Sequence, residues 1–353
     1  MTSTQPAEPT NPRRYFDHIG TARSAVAEVE PVCLYLETTN RCNLLCATCP
    51  RTFEALEPPN DMSWELFTAI VDQFPNIARV VLHGVGEPMM VPALPRMIRY
   101  LKARGTYVLF NTNGTLLTER KGRELIDSGL DELRVSLDAA EPAAFKAVRG
   151  RDMFARIVRR VSAFRALQRA LAAETPRVSL WLTGLKETVG QLKDFVCLAH
   201  EMDVREVYLQ RLVYFPEGQG LARADQALFA GRDDDEGALI RAAEALARAL
   251  GIAFNASGAT DPAASLRPGE TARPWSLCRR PWTLMYITAH GRALPCCVAP
   301  FSVRGYDAFT LGDATQQTLR EIWNGERYQD FRTALLSDKP AAACAGCGLR
   351  WSL

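Results

Sequence analysis

Between residues 32 and 212, short β-branched apolar runs alternate with longer amphipathic segments, the order expected of βα units around a parallel sheet. Parallel neighbours cannot be joined by a tight hairpin and need a crossover of about a dozen residues or more, usually a helix. The runs predict six strands, at Val32–Thr39, Arg79–Gly84, Tyr107–Asn113, Glu132–Ala139, Arg177–Thr183 and Glu206–Leu212. Apolar residues at helical spacing predict helices between them, at Ser63–Phe74, Pro92–Ala103, Thr118–Ser128, Asp152–Ala173 and Val189–Met202. The fold class is therefore α/β.

The pattern changes after Leu212. Residues 214–231 carry Pro216, Gly218 and Gly220, as expected of a boundary or lid, and lead through Asp233-Asp234-Asp235-Glu236 to an Ala-rich helix ending near Leu250. Residues 259–274, rich in Pro, Gly and small side chains, read as a connecting loop. Next come Trp282–Thr288 and Ala293–Cys297 around a turn with Gly291 at its bend, which predicts a β-hairpin, and then a helical stretch at Thr318–Leu336. The resulting division is an N-terminal arm (1–30), a βα region (31–232), a helix with a connecting loop (233–274) and a C-terminal unit (275–353).

Apolar residues make up 47% of the chain and charged residues 23%, the balance of a globular protein. Its 42 Lys and Arg against 40 Asp and Glu leave a net charge of +2, too small for a phosphate-binding field, so nucleic acid is not an expected partner. The first thirty residues lack the apolar core of a signal peptide, and no apolar run reaches the length of a membrane span. A cytoplasmic location without membrane attachment is expected.

There are ten cysteines, and in a reducing compartment clustered cysteines more often bind metal than form disulfides. Cys42, Cys46 and Cys49 form one group; Cys278, Cys296, Cys297, Cys344 and Cys347 form a second; Cys33 and Cys197 stand alone and read as buried apolar residues. Three thiolates on one loop can hold a four-iron cube and leave one iron open, a position where substrate can bind. Zinc also takes Cys ligands, but it favours paired Cys-x2-Cys knuckles and a closed set of four.

Cys-x3-Cys-x2-Cys directly after a strand resembles the defining motif of the radical S-adenosylmethionine (SAM) superfamily, and the surrounding ETTNRCNLLCATCPR resembles its SPASM and twitch branch. The resemblance runs from about Val32 to Cys347. It implies a partial (βα)6 TIM-like barrel, with SAM chelating the open iron of a [4Fe-4S] cluster and being cleaved reductively to a 5'-deoxyadenosyl radical. One departure is Thr48, where the family usually has an aromatic residue beside the adenine, so part of the adenine packing must come from elsewhere.

Gly84-Val85-Gly86-Glu87-Pro88 resembles the family's Gly-Glu-Pro element, which implies that Gly86 and Glu87 receive the methionine ammonium. Asn111-Thr112-Asn113-Gly114 and Ser136-Leu137-Asp138 place polar groups at strand tips, where barrel enzymes carry their active sites. Ligand contact is the natural reading there, which makes Asn113 a cofactor candidate; by the same resemblance Ser136 and Asp138 lie near the methionine carboxylate or the ribose, Arg149 pairs with that carboxylate and Gln210 reaches the adenine. The bland readings are a solvated turn for Glu87, strand-end hydrogen bonding for Ser136 and a surface guanidinium for Arg149. His83 reads as a polar wall or a structural histidine, and Tyr35, Tyr214, Glu217 and Tyr286 are candidates to face the cavity.

The spacing from Cys278 through Gly291 and Cys296 to Cys344-x2-Cys347 resembles the opening of the SPASM pattern followed by an early stop. The shortened twitch form is implied, with one auxiliary [4Fe-4S] cluster on Cys278, Cys296, Cys344 and Cys347, better suited to moving electrons than to binding substrate. On spacing alone a zinc ribbon fits as well; the neighbouring radical motif argues against it. Cys297 is left over, as a buried residue, a substitute ligand or a thiol that returns a hydrogen atom to a substrate radical.

Such motifs specify the initiating radical, not its target. The expected reaction is dehydrogenation of a small polar, natural-product or sugar-like substrate, with the auxiliary cluster taking the second electron and an external donor such as flavodoxin or ferredoxin supplying the first. The alternatives are an epimerase with Cys297 as hydrogen-atom donor, a maturase of a ribosomally made peptide and, outside enzymology, a two-cluster electron carrier or a zinc-stabilised interaction protein. With only about thirty residues before the first strand, no peptide-recognition module is expected on this chain.

Overall fold

The computed structural model describes residues 23–53, 57–214, 222–229, 234–257, 262–266, 272–302, 307–345 and 347. Most of the N-terminal arm, Glu217 with most of the lid segment, Asp233, much of 259–274 and Gly346 lie outside the described residues.

Seven strands run parallel in chain order: β1 (Cys33–Leu36), β2 (Arg79–Val81), β3 (Tyr107–Thr112), β4 (Glu132–Ser136), β5 (Arg177–Gly184), β6 (Glu206–Arg211) and β7 (Ala253–Ala256). The first six start within one residue of their predicted positions, and most end one to three residues early because their polar tips turn out of the ladder. The seventh was not predicted: β7 is short, its sequence AFNA carries no alternation, and it lies in the stretch read as helix and loop. The crossovers include helices Trp64–Val71, Leu94–Lys102, Glu119–Asp127, Phe154–Ala170 and Leu192–Glu201, all inside the predicted ranges, and an additional helix, Pro142–Arg149, ahead of Phe154–Ala170.

On the outer face Leu34, Leu36, Val80, Leu82, Val108 and Phe110 pack against the helices, while the alternate residues Cys33, Tyr35, Val81 and Leu109 line the inside. This period of two is why strands buried on both faces read as almost continuous apolar runs.

The C-terminal unit joins the same sheet. Strand β8 (Leu284–Ile287) lies parallel to β1, and β9 (Arg292–Leu294) and β10 (Gly312–Asp313) continue antiparallel, giving the order β10-β9-β8-β1-β2-β3-β4-β5-β6-β7. The predicted hairpin is present, but its second strand stops at Leu294, so Cys296 and Cys297 occupy the turn ahead of helix Ala299–Ser302 rather than a strand. The single predicted helix over 318–336 is two, Leu319–Trp323 and Glu326–Leu336, broken at Asn324-Gly325.

Candidate active site

The loop that leaves β1 carries Cys42, Cys46 and Cys49, and it is held in place from two sides. On one side the N–H groups of Leu45 and Ala47 donate to the carbonyls of Arg149 (3.3 Å) and Val148 (2.9 Å), at the end of helix Pro142–Arg149. Gly150 follows at φ +72°, and a Cβ there would lie 2.2 Å from the Leu45 carbonyl oxygen. On the other side Glu87 N–H donates to Arg41 O at 2.8 Å, and a Cβ on Gly86 would meet Thr39 O at 2.0 Å. Both contacts require glycine, because no side chain fits that close to another backbone.

At the C-terminal strand ends the loop borders a cavity of about 230 Å³. Its wall brings together the three cysteines and every residue expected at the cofactor: Gly86, Glu87, Asn113, Ser136, Asp138, Arg149 and Gln210. Cys297 is on the same wall, with Tyr35 and His83. Cys278, Cys296, Cys344 and Cys347 are not. Tyr286 points elsewhere: it is fully buried, and its hydroxyl donates to Glu37 Oε2 at 2.7 Å.

Glu87 ties the Gly-Glu-Pro turn to β3. Its Oε1 accepts from Thr112 Oγ1 (2.7 Å) and Met89 N–H (3.1 Å), and its Oε2 accepts from Asn113 N–H (2.7 Å). A carboxylate has about four acceptor positions, so one on Oε2 is left for a further donor such as an ammonium. Asn113 Nδ2 donates to Asn43 Oδ1 at 2.8 Å and stands 3.8 Å from Cys42 Sγ. Arg149 pairs with Asp138 at 2.7 Å and places Nη1 3.6 Å from Cys46 Sγ. Burial opposes its charge, but Asp138 and Cys46 outweigh burial and push the guanidinium above its ordinary range. Asp138 Oδ1 also accepts from Thr183 N–H at 2.8 Å, which locks the tips of β4 and β5 together.

Burial pushes the Cys42 thiol up, and burial with the adjacent Cys46 pushes Cys49 up to about 12. Thiols so placed stay protonated until a cation compensates them, and iron does so by displacing the protons. Among the described residues no three Cys, His, Asp or Glu side chains close on the point a single metal ion would occupy. A cube, whose ligands sit on different irons, places a different demand on three thiolates, and an eight-residue loop bordered by the cavity and lacking a fourth cysteine suits a cube with one open corner.

The second group is assembled from three places: Cys278 ends the turn Pro274–Leu277, Cys296 follows β9, and Cys344 lies on helix Ala342–Ala345 with Cys347 just beyond. Burial and then the neighbouring thiols raise Cys296 and Cys344, each of which feels Cys278 and Cys347. The buried Arg280 lies among the same sulfurs and is pushed above its ordinary range by Cys297, Cys278, Cys296 and Cys347 against the opposing effect of burial. Four such thiolates can close a cluster, and the buried cation offsets part of its negative charge.

Sequence reasoning missed Glu37, Arg134 and Trp181. Glu37 lies within the quoted motif, but it is completely buried, and its oxygens accept from Val85 N–H (2.8 Å), Ala289 N–H (3.2 Å) and Tyr286. Arg134 and Trp181 line the cavity from β4 and β5. Their signal was their strand parity, which Arg134 shares with Ser136 and Asp138, and Trp181 with Thr183.

Two family models match the chain: the radical SAM superfamily over residues 36–197 and the SPASM iron–sulfur cluster-binding domain over residues 278–348. The tungsten-containing aldehyde ferredoxin oxidoreductase cofactor-modifying protein of Pyrococcus furiosus is 25% identical over 328 residues, covering 90% of this chain and 87% of its own. The PqqA peptide cyclase of Streptomyces rochei is 27% identical over 322 residues, covering 89% and 81%. In structure, SuiB of Streptococcus suis bound to SAM superposes with a TM-score of 0.65 at 16% identity over 86% of this chain and 68% of that one. The enzyme anSMEcpe with bound SAM superposes at 0.64, also at 16%, over 86% and 84%. Among the described residues no helix is long and apolar enough to cross a membrane. With a three-cysteine loop at the mouth of a partial barrel and a four-cysteine group gathered in the C-terminal unit beside it, the chain belongs to the radical SAM superfamily, in its SPASM/twitch branch, and is an enzyme of SAM and [4Fe-4S] clusters.

Proposed function

We propose that this enzyme takes a hydrogen atom from a substrate carbon held in the cavity, as the first half of a dehydrogenation, with a flavodoxin- or ferredoxin-type protein as electron donor. When bound, SAM and the cluster on Cys42, Cys46 and Cys49 supply a 5'-deoxyadenosyl radical, and the cluster on Cys278, Cys296, Cys344 and Cys347 supplies a place for a second electron. Glu87 and Asn113 hold the amino acid end of SAM, Arg149 faces its carboxylate from the Asp138 pair, and Ser136 and Gln210 contact its nucleoside.

The observation that carries this reading is the position of Cys297. It lies on the cavity wall with Tyr35 and His83, while its chain neighbour Cys296 belongs to the four-cysteine group, which supports a short path from a substrate in the cavity to the second cluster. His83 is pushed down to about 4 by burial and by Arg134, so it stands on the cavity wall as a neutral imidazole that resists protonation. Loss of a hydrogen atom, an electron and a proton makes a product two mass units lighter.

The place of Cys297 also supports the epimerase, in which its thiol returns a hydrogen atom. Reaction in deuterium oxide separates the two: a dehydrogenase releases an oxidised product without carbon-bound label, an epimerase a product with one deuteron. The likeness to the PqqA peptide cyclase of Streptomyces rochei, at 27% over most of its length, supports a peptide as the substrate class and with it the maturase reading. The primary test is anaerobic reconstitution with SAM and dithionite. 5'-Deoxyadenosine should form, and a fully loaded chain that forms none would overturn the proposal.

A further inference from the structure

Beneath the cavity the barrel interior carries more positive charge than its buried carboxylate balances. Arg79 on β2 and Arg134 on β4 are 2% and 5% exposed, and Glu132, at 2%, is the acid between them. Glu132 Oε1 accepts from Arg134 Nε at 2.7 Å, while Oε2 accepts from Tyr107 Oη and Arg177 Nη2, each at 3.1 Å. Arg177 is half exposed and also reaches Glu206 at 3.4 Å. Among the described residues Nε and Nη2 of Arg79 meet no acceptor. Two buried guanidiniums therefore share one buried carboxylate, and neutral His83 does not alter that sum.

Of the two arginines only Arg134 reaches the cavity wall. Its guanidinium carbon lies 4.4 Å from the centre of the Trp181 ring, which stacks on Tyr208 at 3.8 Å. Glu132 takes the Nε hydrogen, and the Nη hydrogens have no partner among the described residues. The acids that line the cavity are already engaged, Asp138 with Arg149 and Glu87 with Thr112 and Asn113. A planar fork held on an aromatic face in a site of low dielectric is an arrangement suited to a carboxylate.

We infer that Arg134, seated on Trp181, binds a carboxylate of the substrate, which rests on the reading that this cavity holds the substrate. The enzyme then acts on an acid, such as an acidic side chain or a chain-terminal carboxylate, and the anchored group fixes which carbon faces the radical.

Fluorine NMR on the reconstituted holoenzyme with SAM tests this without any turnover, using trifluoroacetate against neutral trifluoroacetamide. Saturable broadening by the wild type should appear for the anion only and be displaced by succinate. Arg134→Gln should abolish it. Arg134→Lys, which keeps the charge and loses the fork, should weaken it by about tenfold, and Arg211→Gln, which removes another arginine of the cavity wall at the end of β6, should retain it. Iron content and circular dichroism establish that each variant is folded. Equal binding of acid and amide, or an unchanged Arg134→Gln signal in folded protein, would overturn the inference; displacement by inorganic phosphate far below the succinate concentration would replace carboxylate with phosphoryl. A wild type that binds the anion yet never cleaves SAM would sink the proposed reaction and leave this site standing.

Discussion

The three cysteines of the first group lie within eight consecutive residues, whereas the four of the second are gathered from separate stretches between Cys278 and Cys347. Proximity in the chain brings the first group together but does not orient it; the loop takes its position from Gly86 on one side and Gly150 on the other. The second group is the reverse, since its four cysteines come from three separate places and the group exists only once hairpin and C-terminal helices have packed. One group is therefore local and borders the cavity, and the other is long-range and stands off it.

That contrast predicts separable losses. Replacing Cys42, Cys46 and Cys49 together by Ala should abolish 5'-deoxyadenosine formation and lower iron from about eight to about four atoms per chain, since the second group shares no ligand with the first. Iron falling to zero would show that the centres assemble together. Replacing Cys344 and Cys347 by Ala should again leave about four atoms, retain SAM cleavage and lower the melting temperature, because the chain end is then no longer tied to β9. Loss of cleavage in that variant would contradict the independence of the two sites.

A subtler test acts on the frame around the first loop. Gly150→Ala leaves every ligand in place but puts a Cβ against the Leu45 carbonyl at a residue whose φ is +72°. The strain costs about 1–3 kcal/mol, enough to shift the loop and only part of the stability of a domain this large. Cleavage should fall by about tenfold or more, with the second cluster's spectrum unchanged. Wild-type activity would mean that the loop tolerates displacement.

The same contrast explains what the sequence could disclose. Cys-x3-Cys-x2-Cys was readable because its geometry is nearly written in its spacing, and six parallel strands because hydrophobic runs separated by helices leave few alternatives. Strand β7 was hidden by its four residues and its Asn255, and the extra helix Pro142–Arg149 by being read only as a segment bearing Arg149. The placement of Cys297 was hidden because it depends on where β9 stops. Arg134 and Trp181 were missed for their depth: parity with Ser136 and Thr183 gave their inward direction, but that the two meet on the cavity wall follows only from the pairing of β4 with β5. What the chain encodes locally was legible, and what it encodes by pairing distant strands was not.

Glu37 belongs to both regions and gives the smallest expected effect. Its carboxylate leaves β1, accepts from Val85 beside the Gly-Glu-Pro turn and from Ala289 and Tyr286 in the hairpin, and so joins the cofactor turn to the C-terminal unit. Burial pushes it from 4.5 up to about 7, against the lowering effect of those three hydrogen bonds. The folded state therefore holds this proton more tightly than the unfolded chain. The stability linked to it is complete below about pH 4.5 and is lost as pH rises through about 7, a change of about 3 kcal/mol at most. Glu37→Gln keeps the shape and removes the titration, so anaerobic melting between about pH 5 and 8 should show a flatter profile in the variant than in the wild type. Parallel profiles would mean that the two regions are joined by packing alone and that this proton plays no part in holding the hairpin against the barrel.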